Sequence, residues 1–144
     1  MIAVDANILV YAHRSESPFF NRAIALLRDL VEGRTAWAIP WPCLHEFYGT
    51  VTHARRYLPP SSVAIATEQI DEWLRSPSIR MIGETSTHRS VLQSMLVASD
   101  VKGPLVHDAR IAAICLQHGV REFWTADRDF SRFPALKCRN PLVT

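Results

Sequence analysis

Two acidic residues follow short apolar segments at positions from which a parallel sheet would bring them together. Asp5 comes directly after residues 1–4, and Asp127 comes just after residues 122–125. Both segments are typical of buried strands. Because ligands bind beyond the carboxyl ends of parallel strands, the two carboxylates are predicted to project from the same edge of the sheet. A single acid after a strand is ordinarily a cap or a turn former, so the pair is what favours a site.

A third acid, Asp108, lies in the clearest helix that the sequence predicts, over residues 105–118. Its face of the helix continues with Ile111, Ala112 and Cys115, which are all apolar. An ionised carboxylate beside an apolar face is costly unless it is paired or binds a metal. The alternative explanation is a first-turn acid that the helix dipole favours.

Glu46 is the fourth acid, about one turn after Pro42, which is well placed to open a helix over residues 42–54. The helix dipole again offers an alternative explanation. The pair His45-Glu46 suggests the zinc-protease motif H-E-x-x-H, but Gly49 occupies the position of the second histidine. That motif is therefore excluded, and the histidines show no other ligand spacing.

These four carboxylates form a ligand set without His or Cys, which favours Mg²⁺ or Mn²⁺ over Zn²⁺. Carboxylates held close together raise one another's pKa, so a cation is needed to keep them all ionised. A metal held in this way polarises a phosphate, activates water and stabilises the leaving oxygen. The chain offers no recognisable nucleophile elbow or Ser/Cys–His pair. The chemistry indicated is metal-assisted hydrolysis of phosphodiesters.

The elements that must position these acids alternate between strands and helices. Strands are predicted at residues 1–4, 37–39, 79–82 and 122–125, and a weaker one at 136–139. Helices are predicted at residues 18–30, 42–54, from Ser61 or Ser62 onward, at 91–101 and at 105–118. This order predicts an α/β sandwich around a parallel sheet. With no linker or repeat along it, the chain is predicted to form a single domain over residues 1–144.

Composition excludes several other classes of protein. With 48% hydrophobic and 21% charged residues, the chain is not of the disordered type, and its apolar runs are too short to cross a membrane. The 5 glycines are too dispersed for a P-loop or a Rossmann fingerprint. The 3 cysteines are widely spaced and odd in number, so they are predicted to be buried reduced thiols. Together with the absence of a secretory signal, this indicates a cytoplasmic location.

Several segments of the chain resemble the motifs of the PIN domain family. The opening MIAVDANILVYA resembles the first motif, with Asp5 and Asn7, and LHEFYGTVTH resembles the second, with Glu46 as its acid. The segment VHDARIAAICLQHGVREFWTADRDFSRFP resembles the third and fourth motifs of VapC-type toxins, which places acids at Asp108 and Asp127. The motifs stand in the family's order and extend over nearly the whole chain.

The resemblance implies a three-layer α/β/α fold and a Mg²⁺- or Mn²⁺-dependent endoribonuclease that is the toxin of a type II toxin–antitoxin pair. It also implies a homodimer, neutralised by a small VapB-type antitoxin whose C-terminal segment occupies the groove near the acids. The four acids would hold the metal, Asn7 and Thr125 would orient ligands or water, and Asp129 is an additional acid. Residues 57–102 carry no motif, so the choice of RNA and of antitoxin is expected to depend partly on them.

The basic residues suit an RNA substrate. Of the 16 basic residues, 14 are Arg and 2 are Lys, and the formal net charge is +2. Arginine favours bidentate phosphate contacts, and a metal that compensates the four acids would leave a positive balance. The candidates for RNA contacts are Arg14, Arg110 and Arg128. Exposed aromatic residues could stack on unpaired bases, but the tryptophans Trp37, Trp41, Trp73 and Trp124 are predicted to lie in the core.

Two other functions compete with the ribonuclease. A catalytically silent PIN-like module that binds RNA or a protein would normally have lost one or more acids, and this chain keeps all four. A phosphotransfer or phosphatase domain with Asp5 as nucleophile would need either a second acid where Asn7 stands or a lysine near the last strand. Neither Lys102 nor Lys137 is well placed for that role. The sequence therefore favours the ribonuclease.

Overall fold

The structure of the chain, a computed structural model, describes residues 1–143. The strands are Ile2–Val4 (β1), Trp37–Pro40 (β2), Ile79–Ile82 (β3), Glu122–Trp124 (β4) and Cys138–Arg139 (β5). The helices are Ala6–His13 (α1), Phe20–Glu32 (α2), Trp41–Val51 (α3), Val63–Leu74 (α4), His88–Ala98 (α5) and Leu105–Gln117 (α6), and a 3₁₀ helix covers Arg128–Arg132. The strands form one parallel sheet in the order β3-β2-β1-β4-β5.

The central position of β1 determines which residues meet at the edge of the sheet. Val4 at the end of β1 lies opposite Trp124 at the end of β4, and the amide of Asp5 donates to the carbonyl of Trp124 at 2.9 Å. Asp5 and Thr125, the residues that follow these strands, therefore leave the sheet side by side. Strand β2 runs parallel to β1, so α3, which begins at Trp41 directly after it, starts from the same edge.

The helices pack in two groups, with α1 against α2 and α3, and α5 against α6. Together with the sheet they make the three layers of an α/β/α fold, so the predicted fold class is confirmed. Burial of large apolar side chains between the layers is the main driving force for this arrangement. The largest fully buried aromatic side chains are Trp37, Phe47, Phe123, Phe130 and Phe133.

Helix α1 was not predicted from the sequence. Its residues Ile8, Leu9 and Val10 are all buried, so the segment lacks the polar stripe by which an amphipathic helix is recognised. The helix begins because the Oδ1 atom of Asp5 accepts a hydrogen bond from the amide of Ala6 at 2.7 Å. Asp5 is therefore a helix cap, the alternative that sequence reasoning had left open, and this role does not conflict with a second one as a ligand.

The predicted bounds of two helices need correction. Helix α5 covers His88–Ala98 rather than residues 91–101. It ends early because Asp100 adopts a φ of 49° and the amide of Val101 turns back to the carbonyl of Leu96. Helix α3 ends at Val51 rather than near residue 54.

The prediction that all four tryptophans lie in the core is wrong for one of them. Trp37, Trp73 and Trp124 are 0%, 5% and 7% exposed, but Trp41 is 43% exposed. The cysteines are all unpaired, as predicted; Cys43 and Cys115 are buried, and Cys138 is only half-buried. Within residues 1–143, no helix has both the length and the apolar character that a membrane crossing requires.

Candidate active site

Asp5 is held rigidly at the carboxyl end of β1. Its side chain is buried, with the residue only 4% exposed. Its Oδ1 atom accepts the cap hydrogen bond from Ala6. Its Oδ2 atom accepts hydrogen bonds from the Thr125 hydroxyl at 2.7 Å and from the side-chain amide of Asn7 at 3.2 Å. The thiol of Cys43, on the first turn of α3, lies 3.4 Å from Oδ1. Both oxygens of Asp5 are thus oriented by neighbours from three different elements.

Thr125 and Asn7 connect Asp5 to the loop that carries Asp127. The hydroxyl of Thr125 accepts hydrogen bonds from the Asp127 amide at 3.0 Å and from Asn7 Nδ2 at 3.3 Å. The Oδ1 atom of Asn7 accepts from the amide of Ala126 at 3.0 Å. The two contacts of Asn7 cross from the start of α1 to the loop after β4, and the contact between Asp127 and Thr125 lies within that loop. Asn7 and Thr125 are therefore placed to orient the acids.

Asp108, Asp127 and Asp129 bring one carboxylate oxygen each to within 4.8 Å of the others. Asp127 caps the 3₁₀ helix, since its Oδ1 atom accepts from the amide of Asp129 at 2.9 Å. Asp108 reaches the same place from the first turn of α6. Burial, followed by repulsion from Asp127 and Asp129, raises the pKa of Asp108 from 3.8 to about 6.

Asp5 and Glu46 belong to the same electrostatic cluster. Burial raises the pKa of Asp5, hydrogen bonds from Thr125 and Ala6 oppose that effect, and repulsion from Asp108 adds to it. Partial desolvation raises the pKa of Glu46, and the charges of Asp5 and Asp127 raise it further. The structure thus brings three of the predicted acids to within 4.8 Å of one another and places Asp5 and Glu46 within electrostatic reach of them. We call this set the acidic cluster: Asp5, Glu46, Asp108, Asp127 and Asp129.

The donor set of the acidic cluster fits a hard divalent cation. Its donors are carboxylate oxygens, which Mg²⁺ and Mn²⁺ prefer. Of the Lys and Arg side chains in residues 1–143, none comes within 4.0 Å of a carboxylate of the cluster. The mutual repulsion that raises the pKa of Asp108 is therefore left for a bound cation to relieve.

A cavity of about 320 Å³ opens beside the acidic cluster, between the first turns of α3 and α6. The residues that line it are Pro42, His45, Glu46, His107, Asp108, Arg110 and Ile111. His45 and His107 are exposed, and sequence reasoning gave neither of them a role in the site. They could be found only once α3 and α6 were known to begin side by side.

The three arginines proposed for RNA contacts have different surroundings. Arg110 lines the cavity and pairs with Glu84 at 2.6 Å, and Arg128 is exposed next to Asp127. Arg14, however, donates to Pro59, Ser61 and Glu16. Its side chain is only 13% exposed.

The guanidinium of Arg14 has partners within the protein, and the RNA contact predicted for it stays a prediction. Its guanidinium lies 4.5 Å from the centre of the Tyr57 ring and holds the loop before α4. The sequence around Arg14 could not reveal this partner, because the loop that Arg14 contacts lies more than 40 residues further along the chain. These contacts give Arg14 a role in fixing that loop.

Comparison with known proteins identifies the family. The family model described as "PIN domain" matches residues 2–136, nearly the whole chain. The chain belongs to the PIN domain family. Among curated relatives, Ribonuclease VapC33 of Mycobacterium tuberculosis is 31% identical over 142 residues, which cover 99% of each chain. Ribonuclease VapC48 of the same species is 29% identical, over 95% of this chain and 94% of the relative. The predicted PIN domain of VapC type is confirmed.

Solved structures share the fold of this PIN domain at lower sequence identity. VapBC2 of Rickettsia felis, bound to a DNA fragment from its promoter, matches with a TM-score of 0.66 and 19% identity, over 96% of this chain and 98% of that one. VapC20 of Mycobacterium tuberculosis, described as a sarcin–ricin loop cleaving toxin, matches with a TM-score of 0.66 and 18% identity, over 91% and 93%. These matches support the α/β/α architecture.

Removing the Thr125 hydroxyl is expected to loosen the acidic cluster. In Thr125→Val, the Asp5 carboxylate loses the hydrogen bond that the hydroxyl donates to it. The backbone amide of Asp127 and the side-chain amide of Asn7 lose the oxygen that accepts their hydrogen bonds. Unsatisfied buried groups cost about 1–3 kcal/mol of stability, and loss of a ligand's hydrogen-bond partner lowers metal affinity about 10–100-fold. Calorimetric titration with Mn²⁺ measures this, and Thr125→Ser, which keeps the hydroxyl, should bind normally. Equal Mn²⁺ affinity in Thr125→Val and the wild type would contradict the positioning role.

Proposed function

We propose that the chain is the endoribonuclease toxin of a type II toxin–antitoxin pair and that its acidic cluster is the catalytic site. The observation that carries this proposal is the convergence of Asp5, Glu46, Asp108 and Asp127 on one edge of a parallel sheet. It is supported by the family match and by the ribonuclease names of the relatives. Because all four acids are present and clustered, a silent binding module is the weaker candidate.

In this proposal the four acids hold Mg²⁺ or Mn²⁺. When bound, the cation polarises the phosphodiester and lowers the pKa of attacking water. Asp5 supplies a carboxylate whose orientation Thr125 and Asn7 fix, and Asp108 supplies one from α6. Asp127 extends from the loop after β4, and Asp129 adds a further acid beside it.

The cavity beside the acidic cluster offers a path for the substrate. Asp108 lines this cavity from α6. Glu46 lines the same cavity from the opposite helix. The cavity is therefore the proposed path of the scissile phosphate, with Arg110 on its wall and Arg128 beside Asp127 as candidate phosphate contacts.

The same comparisons support one of the partners that we propose. The structural neighbours include toxin–antitoxin complexes, which supports an antitoxin partner for this chain. We propose a small VapB-type antitoxin that covers the acidic cluster, an RNA substrate and a homodimer. We also propose one domain over residues 1–144 and a cytoplasmic location, where the free thiols of Cys43, Cys115 and Cys138 would stay reduced.

The proposed function is tested by incubating the purified chain with total RNA and with transfer RNA. Parallel reactions contain Mg²⁺, Mn²⁺ or EDTA. We expect discrete products with either cation and none with EDTA, because the acids alone repel the phosphate. Products that persist in EDTA would contradict the metal-dependent mechanism. No cleavage by a folded protein that binds neither cation would favour the silent module.

A further inference from the structure

Trp41 is a large apolar side chain that the fold does not bury. It is 43% exposed, whereas the other three tryptophans are at most 7% exposed. Tryptophan is enriched at binding surfaces, because its indole combines a large apolar ring with a polar N–H group. Trp41 is the first residue of α3, so it stands at the same edge of the sheet as the acidic cluster.

The position of Trp41 is restricted by its neighbours. Its backbone lies between Pro40 and Pro42, whose rings restrict the chain. Its Cδ1 atom lies 3.5 Å from the point where a Cβ of Gly83 would stand, so the ring packs against the backbone after β3. The carbonyl of Gly83 is itself fixed by a 2.8 Å hydrogen bond from His118. A side chain that is already ordered loses little conformational entropy when a ligand binds to it.

His45 links this surface to the cavity beside the acids. The rings of Trp41 and His45 have centroids 6.2 Å apart and planes inclined by 34°, within the range of favourable aromatic contacts. His45 lines the cavity together with Glu46 and Asp108. A phosphodiester placed at the acids would therefore have His45 beside it, and the ring of Trp41 lies on the far side of His45.

We propose that Trp41, with His45 beside it, is the stacking surface for an unpaired base next to the scissile phosphate. This proposal rests on the proposed ribonuclease function and names a residue that would position the nucleotide beside the cleavage site. Aromatic side chains accept splayed-out bases of loops and single strands, whereas bases within a duplex stay stacked on one another. Every base has a π face, so Trp41 selects for an unpaired nucleotide more than for one sequence.

The experiment uses the intrinsic fluorescence of the full chain. Because the other tryptophans are buried, quenching by a bound base reports on Trp41. A short unstructured oligoribonucleotide is titrated in EDTA, where no cleavage is expected, into the wild-type chain and into Asp108→Asn, which removes one of the charges that repel the phosphate. The same strand annealed to its complement is the ligand control. A fluorescently labelled copy gives the affinity independently by anisotropy.

Three variants separate stacking from folding. In Trp41→Ala we expect the quenching to vanish and the affinity for the single strand to fall about tenfold. In Trp41→Phe, which keeps an aromatic ring, the quenching should vanish but most of the affinity should remain. Leu58→Ala, which truncates an apolar side chain that is 89% exposed, should leave both unchanged. With Mg²⁺ in the otherwise wild-type chain, Trp41→Ala should raise KM about tenfold and change kcat less than about twofold.

The outcomes distinguish the stacking surface from the nuclease itself. Cleavage of RNA without quenching that depends on Trp41 would overturn the stacking surface and leave the nuclease intact. Quenching by the single strand, in a protein that cleaves no RNA with either cation, would support the stacking surface and contradict the proposed function. Equal affinity of the wild type and Trp41→Ala would also overturn the proposal, as would equal quenching by single strand and duplex.

Discussion

Replacing Asp5 or Asp108 by Asn is expected to lower the rate of RNA cleavage at least about 100-fold, since several kcal/mol of metal-derived stabilisation is at stake and each 1.36 kcal/mol is a factor of ten. Each change removes a charged oxygen from the acidic cluster and leaves the shape of the side chain nearly unchanged. Asn also serves as a helix cap, so Asp5→Asn should preserve the start of α1. Initial rates on one labelled RNA, at saturating Mg²⁺, give the comparison.

The control for this prediction is a carboxylate outside the cluster. Asp71 is an exposed residue of α4, and Asp71→Asn should cleave at the wild-type rate. Circular dichroism shows whether each variant is folded. A folded Asp108→Asn protein with full activity would remove Asp108 from the metal site. A loss of activity in Asp71→Asn of the same size would show that the effect is not specific to the acidic cluster.

The second large effect is expected in the stability of the metal-free protein. The pKa of Asp108 is raised from 3.8 to about 6 in the folded chain, so the folded state binds a proton more tightly than the unfolded state does. Folding stability should therefore fall as the pH rises from 4 towards 6 and stay low above that range. Burial of the carboxylate is the main physical cause, and repulsion within the cluster adds to it.

Asp108→Asn removes this cost. The full pKa shift corresponds to about 3 kcal/mol, and screening by solvent at this half-exposed site reduces the expected gain to about 1 kcal/mol. In EDTA at pH 7.5, the variant should melt about 3 °C above the wild type. At pH 4 the two should melt together, because Asp108 is then largely protonated in the folded chain.

Thermal melts across this pH range, with EDTA and with Mg²⁺, check the prediction. Mg²⁺ should raise the melting temperature of the wild type more than that of Asp108→Asn. The cation binds only the folded site, and its binding depends on the negative charge of the Asp108 carboxylate. Asp71→Asn is again the matched control and should follow the wild type at every pH. A metal-free Asp108→Asn protein that melts well below the wild type at pH 7.5 would make Asp108 a structural residue.

Much of the site was predictable because it follows from strand ends and helix starts. Parallel strands align their carboxyl ends, so the placement of Asp5 and Asp127 after two strands was enough to predict that they would meet. The apolar face behind Asp108 predicted its position beside the core. The hydrogen bonds of Asn7 and Thr125 add the physical reason why those residue types stand where they do.

The features that sequence reasoning missed depend on tertiary contacts. Helix α1 is buried on most of its surface, so its residues carry no periodic pattern. Tryptophan is a residue type that usually lies in the core, but Trp41 is exposed because α3 begins with it at the edge of the sheet. Arg14 is bound by a loop far along the chain. In each case the deciding neighbour is distant in sequence, and local patterns hold no information about it.

The most direct test of the acidic cluster as a metal-dependent ribonuclease site is a Mn²⁺ titration that follows binding and cleavage in the same samples. Electron paramagnetic resonance reports the free ion, and gel electrophoresis reports the cleaved RNA. We expect the cleavage rate to rise in proportion to the occupied site, and both to be lost in Asp108→Asn. Cleavage that is already complete before Mn²⁺ binds, or equal binding by the variant, would contradict the proposed site.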